Sequence, residues 1–473
     1  MKDNSYQSVL DRKNDIMKAS VGIDYSTFEY GTIAFDYERM MTEEGNSLEE
    51  NRRIQQETGV GDTPIYELKN VTALARRYAG PGKGARIFVK DEAANPSGSF
   101  KDRRAATSVH TAAKAGFQGV ITATSGNYGA AVASQAAKRG LQCIVVQECY
   151  DSKEMGQPEI IEKARKCEAY GAEVVQMTVG PELFYKVLTL LEETGFYNAS
   201  LYSPSGIAGV ETLGHELARQ IRELTGRDPD VVVCTNAGGG NLTGTARGLA
   251  LAGVKCQVVG ASVDLSGLHM ASDRDFNRKS FTTGHTGFGV PFATNPDRSD
   301  VPRSAGRPLR YMDRYVTVNQ GSVFYITEAL AQLEGLERGP AGNTSLAAAF
   351  SLAREMGEDE IIVVQETEYT GAGKHINPQL TFAKDNGIEL KVGDPANEVP
   401  GESIILPVNA GLIRVKDLDL DHMRRSLIRN QTAGAKATGI SRVDIEYLMA
   451  ETRSDEGFVR RVLQELEVPV REE

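Results

Sequence analysis

NPSGSFKDRRA, residues 95–105, decides how this chain is read. A loop of small residues delivers one lysine, Lys101, to the start of a segment with helical spacing, FKDRRAATSVHTAAKAG (100–116), which stops at Gly116. Upstream, ARIFVKDE (85–92) has the make-up of a short strand. Ser99 stands where an N-cap belongs, with Asp102 three residues on, and the pair predicts a capping box. A cation there meets the positive end of the helix dipole. Such a lysine loses its proton more readily, as a nucleophilic or imine-forming amine requires. Taken alone, Lys101 is better read as a surface lysine beside a cap.

Working outward, strands and helices alternate. Strand patterns are GVITATS (119–125), LQCIVVQE (141–148), AEVVQMT (172–178), DVVVCTN (230–236), VKCQVVGASVD (254–264) and IIVVQE (361–366). Helical spacing is predicted over 128–140, 158–171, 181–195 and 208–226. Apolar strands alternating with helices give an α/β fold with parallel sheets covered by helices. Ligands then bind where loops leave the carboxyl ends of strands. Residues 271–314 break the pattern as an irregular insert, and the tail from 386 begins irregularly and ends in helix-like segments.

Three further stretches carry chemistry. In TATSGNYGAAVA (122–133) a turn with Thr124, Ser125, Gly126, Asn127 and Tyr128 opens a helix, where backbone N–H groups suit a carboxylate. In CTNAGGGNLTGTA (234–246), Gly238, Gly239 and Gly240 allow close backbone approach, and Asn241 and Thr243 add donors. This pattern fits a phosphate cradle without the GK[ST] ending of a nucleotide-triphosphate loop. In QETEYTGAGKH (365–375), Thr370 offers a neutral hydroxyl to a ring nitrogen, with Thr367 as the alternative. Each has a plain reading as a tight turn or loop. An amine, a carboxylate turn, a phosphate cradle and a neutral hydroxyl together are what pyridoxal phosphate needs.

Composition bounds the answer. A chain of 473 residues, 40% hydrophobic and 25% charged, is long enough for two or more globular domains. The net charge of -11 argues against general nucleic-acid or anionic-membrane binding. No apolar run suffices to span a bilayer, and the polar start MKDNSYQSVLDRKND is unlike a leader, so a cytoplasmic protein is expected. Five scattered cysteines and six scattered histidines indicate neither a disulfide frame nor a metal site.

The four stretches, in this order over roughly residues 60–380, resemble the tryptophan-synthase-like class of pyridoxal-phosphate enzymes, fold type II, which includes threonine synthase. The resemblance implies two three-layer α/β/α domains with the cofactor between them. It places a large domain at 59–103 and 207–385, a small one at 104–206, an N-terminal helical extension at 1–58 and a C-terminal extension at 386–473. It makes Lys101 the imine-forming lysine, Asn127 the ring 3′-hydroxyl contact, 238–241 the phosphate loop and Thr370 the ring-nitrogen contact. KDEAANPSGSFKDRRAA, VQECYDSK, FTTGHTGFGVPFATNPDRSDVPRS (281–304) and VVQETEYTGAGKH narrow it further. They are similar to β subunits of 2-amino-4-oxopentanoate thiolases of ornithine degradation. That family implies cleavage of the amino ketone with coenzyme A to acetyl-CoA and alanine, the D isomer, with a small α subunit required.

On that reading Lys101 also shuttles the α-proton. His285 is a candidate base for the CoA thiol, against a loop histidine with no catalytic part. Cys149 offers an acyl-cysteine route, set below a packed thiol. Arg303 and Arg307, in the one basic cluster of an acidic chain, are candidate CoA-phosphate ligands or internal ion-pair partners. Two other readings stand beside the thiolase: a threonine synthase-like or ammonia-lyase enzyme of the same fold, and a non-catalytic pyridoxal-phosphate-binding scaffold subunit.

Overall fold

The computed structural model describes residues 3–124, 126–150, 154–180, 182–200, 202–265, 279–284, 294, 301–369 and 376–471. The strands, in chain order, are β1 (Glu29–Tyr30), β2 (Ala34–Phe35), β3 (Ile65–Glu67), β4 (Arg86–Asp91), β5 (Gly119–Thr124), β6 (Gln142–Tyr150), β7 (Glu173–Thr178) and β8 (Tyr197–Asn198). There follow β9 (Val231–Thr235), β10 (Gln257–Val263), β11 (Arg314–Val318), β12 (Ile361–Glu366), β13 (Glu389–Gly393), β14 (Ser403–Pro407) and β15 (Lys416–Asp417).

One sheet has the order β15-β11-β10-β9-β12-β4-β3, parallel from β11 to β4 and antiparallel at both edges. The other, β7-β6-β5-β8, is parallel throughout. Strand β12 shows why the large sheet is covered on both faces. Its side chains alternate, so Ile362 and Val364 join the core under helix Pro340–Ala353. Ile361 and Val363 join the opposite core, with Leu217, Ile221 and Leu242. A continuous apolar run is therefore required, and IIVV supplies it.

The small sheet is covered on one face by helices Lys101–Lys114 and Asn127–Arg139, through Val109, Ala112, Ala131 and Val132. The other face takes helix Glu182–Thr194 together with Val9, Ile16 and Met17 of the N-terminal extension. The extension thus completes the small-sheet core. It also contains an antiparallel hairpin, β1–β2, beside the expected helices. The C-terminal extension holds the parallel pair β13–β14, edge strand β15 and helices Leu420–Thr432, Arg442–Thr452 and Glu456–Glu465. Two-residue strands such as β15 carry too little periodicity to be read from sequence. Among the described residues, no helix is long and apolar enough to cross a membrane.

The two extensions grip each other. Asp444 is fully buried, and its carboxylate accepts backbone N–H bonds from Thr32 (2.9 Å), Ile33 (2.8 Å), Ala34 (3.1 Å) and Ser441 (2.8 Å). Burial pushes its pKa up, but those N–H groups outweigh burial and hold it below the ordinary carboxylate range. A depressed folded pKa contributes stability above the unfolded value, lost as pH falls through the folded one. Asp444→Ala strands several buried N–H donors and is expected to cost about 2–3 kcal/mol, read as a lower urea midpoint. The loss should shrink in acid, where the wild-type carboxyl is itself protonated.

Candidate active site

After β4 the chain passes through Glu92–Ala94 and reaches helix Lys101–Lys114. The expected capping box does not form. Phe100 occupies the N-cap without a side-chain bond. Asp102 turns back to accept from the Ser97 backbone N–H at 2.6 Å. Burial pushes the Asp102 pKa up to about 6, against the Ser97 bond. The Ser99 backbone instead bridges to Glu368. The Phe100 N–H donates to the Thr367 carbonyl (3.0 Å) and the Tyr369 N–H to the Gly98 carbonyl (2.8 Å). The lysine loop is thereby docked on the segment that leaves β12, and tertiary pairing replaces the local cap. Lys101 is partly buried, its Nζ 4.9 Å from the Phe100 ring centroid.

The next turn is anchored by a buried ion network. Arg103, at 0% exposure, places Nε 2.7 Å from Glu92 and both terminal nitrogens on Glu216, at 3.2 and 3.1 Å. Lys90 also contacts Glu216. These residues come from β4, the turn Glu92–Ala94, the lysine helix and helix Pro204–Thr225, so the network fixes where the lysine helix begins.

The turn after β5 faces the same strand end. Thr124 Oγ1 accepts from the N–H groups of Gly126 (2.8 Å) and Gly129 (3.1 Å), so this hydroxyl shapes the turn. Gly126 has φ 155°, and a Cβ there would lie 2.6 Å from Lys163 Cδ. Asn127 Nδ2 donates to Glu368 Oε2, and Lys163 Nζ lies 3.5 Å from the same oxygen. Tyr128 is buried. Neither Glu368 nor Lys163 stood out in the sequence. The available signal was QETE, two carboxylates closing an otherwise apolar strand.

Beyond β9, Gly239 (φ 87°) leads into helix Gly240–Leu251. A Cβ on Gly238 would fall 1.6 Å from the Tyr202 hydroxyl, and one on Gly240 would fall 2.5 Å from an Arg104 guanidinium nitrogen. Asn241 is 7% exposed, and its Oδ1 has no hydrogen-bond partner among the described residues. Thr243 donates to the Gly239 carbonyl (2.9 Å) and accepts from the Arg307 N–H (2.9 Å), so its hydroxyl braces the turn. The arrangement can hold a phosphate at a helix N-terminus.

At the end of β12, Glu366 is fully buried against Gly342, and neither carboxylate oxygen has a hydrogen-bond partner among the described residues. Burial pushes its pKa well up, reinforced by Glu368 and Asp91 and opposed by Arg338. Such a setting favours the protonated, neutral form of the carboxyl.

Other expectations separate. Ser125, Thr370 and His285 lie outside the described residues, while Thr367 is buried at the strand end. Arg307 is buried, pairs with Glu451 (2.7 Å) and Glu38 (2.6 Å), and stacks 4.3 Å from the Tyr37 ring centroid. It ties the two extensions together, because a buried guanidinium requires paired carboxylates, and its fork is not offered to CoA. Arg303 is partly buried, bonds Gln431 at 3.2 Å and lies over Phe35. Cys149 packs with Ile160 and Ala164, and burial pushes its thiol up to about 12. That burial and packing favour the reading of Cys149 as a packed thiol.

The family model for pyridoxal-phosphate dependent enzyme matches residues 56–368. The chain is 69% identical over 465 residues to a 2-amino-4-ketopentanoate thiolase beta subunit of Acetoanaerobium sticklandii, covering 98% of this chain and 99% of that one. It is 64% identical over 468 residues to another protein of that name from an unknown prokaryotic organism, with 99% of each covered. Among solved structures, a pyridoxal 5′-phosphate-dependent aspartate racemase superposes with a TM-score of 0.55 at 19% identity, over 68% of this chain and 94% of that one. That likeness concerns the fold, and it agrees with the fold type II expectation. By the family model and the full-length relatives, this chain belongs to the pyridoxal-phosphate-dependent enzymes, in the group of the 2-amino-4-ketopentanoate thiolase β subunits.

Proposed function

We propose that this chain is the catalytic β subunit of a two-subunit enzyme that cleaves 2-amino-4-ketopentanoate with coenzyme A to acetyl-CoA and alanine. The observation that carries this reading is the 69% identity over 465 residues, a match that covers 98% of this chain and so takes in the irregular insert as well as the catalytic core. The partner is a separate, small α subunit, and the amino ketone and CoA are the substrates.

The residues fit pyridoxal phosphate. With no Cβ at 238 and 240, the Tyr202 hydroxyl and an Arg104 guanidinium nitrogen close on the glycine turn, so that donors gather at this helix start, and Lys101 and Asn127 open two neighbouring helices. The backbone N–H groups of Gly238, Gly239, Gly240 and Asn241 would hold the phosphate, Lys101 would bond the aldehyde carbon, and Asn127 would meet the ring hydroxyl. When bound, the cofactor supplies a sink for the electron pair released as C3–C4 of the substrate breaks. The chain supplies the rest. Lys101 removes and returns the proton at substrate Cα. The N–H groups of Asn127 and Tyr128, at the start of their helix, would hold the substrate carboxylate. In the reaction the CoA sulfur bonds to C4, C3–C4 breaks, and C3 gains a proton, giving one thioester and one amino acid. Glu368, shared by Asn127 and Lys163, fixes the amide that orients the ring.

The test is acetyl-CoA formation, followed by mass spectrometry, from 2-amino-4-ketopentanoate and CoA with the protein co-purified with its encoded partner. Acetyl-CoA and alanine in equal amounts are expected. 2-Oxo acid and ammonia from hydroxy- or diamino acids, without acetyl-CoA, would overturn the reading in favour of a lyase.

A further inference from the structure

The three-glycine turn is faced by more than backbone. Arg104 lies on the lysine helix, three residues after Lys101, and is 3% exposed. One of its terminal nitrogens is 2.5 Å, and its Cζ 3.0 Å, from the point where a Cβ on Gly240 would stand. The Tyr202 hydroxyl is 1.6 Å from the corresponding point on Gly238. The guanidinium is steered by the Phe100 ring, whose centroid lies 5.3 Å from Cζ. Resting on the cofactor assignment above, we propose that Arg104, assisted by Tyr202, is a cationic clamp on the phosphate of pyridoxal phosphate, so that this turn binds the anion with a formal charge as well as with N–H groups.

Three physical points favour it. A guanidinium is planar and matches phosphate oxygens with two parallel N–H donors. Burial depresses the Arg104 pKa, opposed by the phenols of Tyr202 and Tyr128, so a dianion in this position relieves a desolvation cost. The same helix carries the tethering amine at its first residue and the clamp at its fourth. One rigid element therefore sets the distance between the aldehyde end and the phosphate end of the cofactor.

The experiment uses the full chain stripped of cofactor. Dissociation constants for pyridoxal phosphate and for pyridoxal are measured by absorbance titration in wild type, Arg104→Met, Arg104→Lys and Tyr202→Phe. Arg104→Met is expected to weaken pyridoxal phosphate by about 10- to 100-fold and to leave pyridoxal nearly unchanged, with Arg104→Lys between wild type and Met. Tyr202→Phe is expected to lose about threefold to tenfold, the value of one neutral hydrogen bond. Inorganic phosphate should compete with pyridoxal phosphate in wild type and more weakly in Arg104→Met. Equal discrimination between the two aldehydes in wild type and both Arg104 variants would overturn the clamp while leaving the cofactor site intact. Wild type that fails to prefer pyridoxal phosphate would overturn the phosphate assignment itself. If Arg104→Met does not fold, the Lys and Phe variants decide by the same ratio.

Discussion

Lys101→Ala is expected to abolish acetyl-CoA formation, by about a thousandfold or more, while the protein stays folded. The side chain lies partly exposed at the first residue of its helix, so its loss opens no fully buried cavity. The variant should still bind the cofactor through the glycine turn, but without the visible band of the lysine-bound form. Urea unfolding, absorbance and turnover separate these statements. Near-normal turnover in Lys101→Ala would remove the catalytic assignment. A variant that neither folds nor binds would show that the residue serves packing.

Arg103→Met is expected to act on stability, by about 3–5 kcal/mol, because it leaves Glu92 and Glu216 buried with one cation fewer. Burial alone would push the Glu216 pKa up, yet the charges of Arg103 and Lys90 outweigh it and hold it at about 2, below the ordinary 4.5. With the folded pKa depressed, this group stabilises the fold above pH 4.5 by about 3 kcal/mol, and the contribution is lost as pH falls toward 2. In Arg103→Met much of that pH dependence should vanish, with Lys90 left as a cation beside Glu216 and the Asp62 and Thr63 N–H groups still donating to it. Replacing Glu92 by Met in the same chain should return part of the stability, since it removes a stranded charge. Denaturation midpoints of the single and double variants between pH 3 and 7 check both claims. If Arg103→Met were as stable as wild type at pH 7, the network would not be what fixes the start of the lysine helix.

The same two residues show what was legible and what was not. Lys101 announces itself through local context, small residues before a helix. Arg103 and Arg104 follow it as two identical letters in RR. One ends between carboxylates of β4's loop and helix Pro204–Thr225, the other over the glycine turn, and helical geometry points them to different faces. Arg307 was a fair candidate for an anion site in sequence, but Glu38 and Glu451 lie 269 and 144 positions away and reach it only in the folded chain. Ser99 and Asp102 had the spacing of a capping box, yet the loop found a stronger arrangement by pairing with 367–369.

By itself, then, the sequence determined those features that depend on neighbours within a turn or two. These are the alternating strand and helix periods, the lysine at a helix start, and the glycines that permit close approach after β9. Only the tertiary structure decided which of the buried charges would meet. It closed the lysine loop onto the end of β12, set Glu368 between Asn127 and Lys163, and brought Arg104 over Gly240. The physical reason is that periodicity is written in local spacing, whereas the partner of a charged side chain is set by packing between segments hundreds of residues apart.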